Sequence, residues 1–148
     1  MKFIIEYKNS IEKRVLNYIS DEHSFNMKPI VSKIDFELIL NKLSLSVVKN
    51  KIIQLWGFCG LADWMISNYQ VPEYKKGILK VEHNLKYGFA YAINDEELPI
   101  HVNTQTGWVC IGTPEKSGNA VEFIDNCVAV IDQDNKFVSL WLKPQSLP

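Results

Sequence analysis

Only one arginine, Arg14, stands among the sixteen basic residues of this chain; the rest are lysines. Bidentate reading of guanine edges and clamping of phosphates lean on guanidinium groups. A formal net charge of −1 also withholds the broad basicity that a phosphate backbone rewards. Both points argue against nucleic acid as a partner.

Cysteine and histidine are as scarce. Cys59, Cys110 and Cys127 are widely spaced and form no CxxC pair, which argues against a disulfide framework or a zinc ribbon. His23, His83 and His101 show no HxH or HxxxH spacing, so no metal site is expected. No GxGxxG, GxxxxGK[ST], HExxH or GxSxG pattern is present, and nucleotide, zinc-protease and esterase chemistry have no foothold. No cofactor is expected either.

Long apolar runs are missing too. Phe3-Ile4-Ile5 stops at Glu6, too short for a signal peptide, and no segment approaches the roughly 20 apolar residues of a membrane span. The expectation is a cytoplasmic protein with reduced thiols and no membrane partner.

What is there suits one ordinary domain, 1–148, with 47% hydrophobic and 22% charged residues. Residues 1–75 carry ten basic and eight acidic side chains, and residues 76–148 carry six and nine. The second half is mildly acidic.

Helical spacing is the reading of the first half, after a short strand over Phe3 to Tyr7. Ile11, Val15, Leu16 and Ile19 fall on one stripe behind an Asn9-Ser10 cap, which predicts a helix from Ile11 to Ile19. Ser20 to Pro29 is polar and aperiodic, a loop. Phe36, Ile39, Leu40 and Leu43 behind Ser32 or Asp35 predict a second helix. Leu45 to Trp56 fits either a continuing helix, the preferred reading, or a hairpin turning at Lys49-Asn50. Leu61 to Tyr69 reads as a last short helix before Pro72.

From Ile78 the period becomes two. Strands are expected over Ile78 to Val81, Tyr87 to Ile93, Pro99 to Thr104, Trp108 to Gly112, Val121 to Ile124, Cys127 to Ile131 and Lys136 to Leu142. Gln105-Thr106-Gly107, Asp125-Asn126 and Asp132 to Asn135 supply residues that tolerate positive φ at the turns. Gly88, Ala90 and Ala92 share a small-residue face on which a second layer is expected. In the last strand Val138, Leu140 and Leu142 share one face, opposite Phe137 and Trp141. The last three strands are apolar on both sides and need a cover. The predicted fold is α+β: an N-terminal helical layer (1–75) on a C-terminal antiparallel meander (76–148) of five to seven strands.

Candidate chemistry is thin. Cys59 with His83 or His101 and Asp63 would make a thiol nucleophile, but the apolar run Trp56 to Gly60 favours a buried, inert thiol. His101 and Asn103 point to the outer face of their strand, where solvation is the commoner role. Asp95, Glu96 and Glu97, together with Asp132 and Asp134, form a possible acidic patch for a basic protein partner if their loops project together. No catalytic residue is assigned. A cavity lined by Tyr87, Phe89, Tyr91 and Trp108 is the alternative site, for a small ligand or an enzyme substrate.

The strand-turn-strand segment Val121 to Asp132, closed by Val138 to Pro144, resembles the endings of small α+β immunity proteins encoded beside bacterial toxins, including those of contact-dependent inhibition systems. That resemblance implies an intracellular protein that binds and neutralises one cognate toxin domain without chemistry of its own. It carries no fixed binding residues.

Overall fold

Alternation, rather than helical spacing, governs the chain from its second residue. In the computed structural model, which describes residues 1–148, 51% of the chain is strand and 4% is helical. The helical part is two single-turn 3-10 segments, Ser20–Glu22 and Leu61–Asp63. The strands are β1 (Lys2–Tyr7), β2 (Val15–Ile19), β3 (Ser24–Lys28), β4 (Phe36–Leu40), β5 (Leu43–Val48), β6 (Lys51–Phe58), β7 (Trp64–Ile66), β8 (Lys75–Glu82), β9 (Ala90–Ala92), β10 (Ile100–Asn103), β11 (Trp108–Gly112), β12 (Asn119–Ile124), β13 (Cys127–Ile131) and β14 (Phe137–Leu142).

They form one curled half-barrel sheet in the order β7-β10-β11-β14-β13-β12-β8-β6-β5-β4-β9. Strand β1 pairs with β8, and the β2–β3 hairpin joins the end of β6 through Ser24 and Phe25. Strand β8 is the joint: Lys75 and Lys76 run parallel to β12, whereas Lys80 meets Lys51 of β6 antiparallel. The pairs β10–β7 and β4–β9 are also parallel.

Curling lets both halves share one core of 28 buried residues, from Leu38, Leu45 and Leu55 on one side to Ile111, Phe123 and Leu140 on the other. A second cluster lies on the opposite face of β11 to β14 around Trp108, Val128, Val138 and Trp141. The strap Ser67–Tyr74 covers it with Tyr69 and Val71. Ser67 is tied to the Val102 carbonyl at 2.8 Å, and the Asn103 amide reaches the Tyr69 carbonyl at 3.1 Å. The cover that these doubly apolar strands require is thus a loop and the curl of the sheet.

The α+β expectation is overturned, because none of the four predicted helices forms. In β2, Leu16 and Tyr18 are buried while Val15, Asn17 and Ile19 look outward, a period of two hidden inside an apparent helical stripe. In β4 and β5, Phe36, Leu38 and Leu40 and then Leu43, Leu45 and Val47 face the core. Asn41, at φ 55°, makes the turn between them. The Lys49-Asn50 hairpin, rather than the preferred helix, joins β5 to β6: both residues have positive φ, at 50° and 65°, as a two-residue primed turn requires. Leu61 to Tyr69 contains one 3-10 turn, β7 and the start of the strap.

In the second half, β10 to β14 lie where alternation places them, and Gly107, Asn126 and Asn135 have the positive φ expected at their turns. Two details differ. The strand expected over Tyr87 to Ile93 shrinks to Ala90–Ala92 at a sheet edge, and Gly88, Ala90 and Ala92 are exposed, with no layer over them. A bulge where Val130 and Ile131 meet Ser139 and Phe137 re-aims the start of β14. Phe137 therefore packs on the main core with Leu140 and Leu142, while Val138 joins Trp141.

Candidate functional site

Strands β4, β5 and β6 bury Leu38, Leu45 and Leu55 on their inner face and so turn Glu37, Ser46 and Gln54 to the other side in one cross-strand row. The neighbouring row is Ile39, Ser44 and Trp56. Segment Pro29–Ile34 runs beside this outer face. The Gln54 amide fastens it, with its oxygen accepting from Val31 N at 2.9 Å and its nitrogen donating to Val31 O at 2.8 Å. Arg14 holds the other end, donating to Pro29 O and Ile53 O, each at 2.7 Å.

Between this strap and β3 lies an open groove of about 550 Å³. Its apolar wall is Ile30, Trp56 and Phe58, which are 73%, 51% and 43% exposed, far more than the core requires. Its polar part includes Glu37, Asn26, Gln54, Ser24 and Ser32. Glu37 accepts from Ser44 Oγ at 2.6 Å and from Ser46 Oγ at 3.0 Å, and it forms no ion pair. Asn26 Oδ1 is buried without a hydrogen-bond partner. Glu22 completes the acidic lining, and no basic side chain lines the groove. Lys42 sits outside it, 5.2 Å over the Phe58 ring.

The acidic residues expected to meet a partner are divided between two places. The 94–98 loop is fastened to the β4–β5 turn: Asn94 and Asn41 exchange side-chain contacts, and Leu98 N donates to Asn41 Oδ1 at 2.8 Å. Asp95, Glu96 and Glu97 are exposed there, and Glu97 shares a small crevice with Phe58 and Asp63, beside the groove's rim. Asp132 lies in its own turn, accepting from Asp134 N and Lys136 N at 2.9 Å each and pairing with Lys116. The Lys136 backbone bond leads the effects that hold its carboxyl below the usual range. That turn adjoins β1, where Phe3 N donates to Asn135 O, and no hydrogen bond or ion pair joins it to the 94–98 loop.

The thiol arrangement does not assemble. Cys59 is buried, and its sulfur accepts from the Trp64 indole at 3.3 Å. Burial pushes the thiol up to about 11, so it is protonated at neutral pH. The adjoining crevice holds about 10 Å³, too little for a substrate. His83 instead bonds Asn50 Oδ1 at 2.9 Å and packs on Phe36, while His101 packs on Tyr69. Asn103 is buried, its oxygen accepting from Gln105 N and Thr106 N, so it offers nothing to a ligand.

The aromatic cavity is not formed either. Tyr87, Phe89 and Tyr91 gather near Phe36 and the β9 edge, whereas Trp108 is buried in the second cluster beside Tyr74. The groove was missed because one wall, Glu22 to Met27, lay in a segment read as a loop and the rest in segments read as helical, where Glu37, Ser46 and Gln54 share no face. A strand reading with the Lys49-Asn50 turn would have aligned them.

No protein-family model matches the chain, and no curated protein matches it in sequence. No group of His, Cys, Asp and Glu side chains has the geometry of a metal site, and no helix is long and apolar enough to cross a membrane.

Proposed function

We propose that this is a non-catalytic binding protein of the cytoplasm whose groove receives an extended, basic segment of a protein partner and blocks that partner by occupancy. The observation that carries the reading is Trp56, half exposed in an open groove whose lining is acidic and apolar. An aromatic anchor in a pocket is the kind of residue on which binding energy concentrates. The exposed acids of the 94–98 loop would steer a basic partner toward that rim.

A bacterial toxin domain is the partner implied by the resemblance of the C-terminal strands. The all-β fold removes the architectural half of that resemblance, and the neutralising role rests on the groove. A small organic ligand is the second reading, favoured by a volume within the range of small-molecule pockets.

The test is co-purification and calorimetry with the product of the reading frame directly upstream, comparing the parent with Trp56→Ala. A stable complex weakened at least tenfold by the substitution is expected. A complex of undiminished affinity would move the binding surface elsewhere, and absence of any complex would remove the neutralising role.

A further inference from the structure

We infer that the groove's anchor point is a guanidinium site: an arginine side chain of the partner's segment lies against the Trp56 indole with its charge on Glu37. This rests on the groove reading above and names what the groove selects.

The lining, which holds acidic but no basic side chains, points to a positively charged ligand. Glu37 is partly exposed, lines the groove and lacks a cation, though two serine hydroxyls orient it. Those hydroxyls hold the carboxylate in place without neutralising it, which leaves a charge awaiting a partner. Gln54 has both ends of its amide occupied, by Val31 and Ser46.

Trp56 chooses among cations. It sits across from Ser44, whose hydroxyl is on Glu37, so the exposed indole and the carboxylate share one patch of the sheet. A planar guanidinium stacks on an indole while its edge donates to a carboxylate, a combination that a compact, strongly hydrated ammonium matches poorly.

The test uses three short peptides, acetyl-Leu-Arg-Leu-amide and its lysine and citrulline counterparts, titrated into the full-length protein while the Trp56 indole and the Glu37 and Asn26 amides are followed by NMR. The expected result is saturable shifts at these positions for the arginine peptide, at least tenfold weaker binding of the other two, and loss of the preference in Glu37→Gln. Equal binding of the arginine and citrulline peptides, or of the arginine and lysine peptides, overturns the guanidinium site, as does the absence of shifts. The protein partner separates the two proposals. A complex sensitive to Trp56→Ala but indifferent to Glu37→Gln overturns the guanidinium site alone, and indifference to both overturns the groove.

Discussion

Arg14 Nε donates to the carbonyl of Ile53 at 2.7 Å, joining the approach to β2 to the middle of β6 across 39 residues. The same guanidinium donates to Pro29 O and pairs with Glu12 at 3.2 Å, and its side chain is 8% exposed. The residue whose isolation argued against nucleic acid is thus an internal clamp that also fixes one end of the groove's strap.

Arg14→Ala should lower stability by on the order of 3 kcal/mol, because it leaves two carbonyls without charged donors. Arg14→Lys should recover only part of this, since an ammonium lacks the planar fork. Urea melts of the three proteins check it, and an Arg14→Ala variant as stable as the parent would show the clamp to be idle.

High pH should unfold the protein by way of its thiols. Burial raises Cys59 to about 11 and Cys110 to about 12 from a reference of 9.0, and lifts Cys127 too. The unfolded chain then sheds protons first, so this stability is fully present below about pH 9 and declines as the pH climbs through the folded values. Each thiol contributes a fall of about 1.4 kcal/mol per pH unit over that window. Melts at pH 7.5, 9 and 10.5 with reductant present should show it, and a flat profile would mean the thiols are not protected.

Gly112 should not tolerate a side chain. It has φ +129°, and a Cβ there would meet the Val138 carbonyl oxygen at 2.5 Å. Gly112→Ala therefore combines a strained backbone with a clash against backbone, at a cost of at least about 1–3 kcal/mol. A thermal midpoint within a degree of the parent's would contradict the β11–β14 geometry.

Ala90→Leu should behave in the opposite way. Ala90 is exposed on an edge strand that pairs with Glu37 in β4, so a larger side chain meets solvent and stability should change by less than about 0.5 kcal/mol. A marked loss in a denaturant melt would reveal a layer over β9.

For a basic partner, replacing Asp95, Glu96 and Glu97 together by neutral residues should slow association and flatten its salt dependence. The melting temperature should stay put, since none of the three forms an ion pair. Stopped-flow rates at two ionic strengths that match the parent's would exclude steering by this loop.

Composition and local pattern alone determined the buried thiols, the strands β10 to β14 and their turns. Turn residues carry their conformational preference locally: Asn126 and Asn135 take the positive φ that asparagine tolerates. The first half was decided only by the tertiary structure. Its apolar residues fit a period of 3.6 and a period of two almost equally well, as Phe36, Leu38, Ile39, Leu40 and Leu43 show. What chose between them was long-range pairing: β8 between the two halves, the β2–β3 hairpin against β6, and a shared core that accepts Leu38, Leu45 and Leu55 only from strands. The groove follows from the same choice, because Glu37, Ser46 and Gln54 become neighbours only when β4, β5 and β6 lie side by side. Register across strands is a property of the assembled sheet, and no local window contains it.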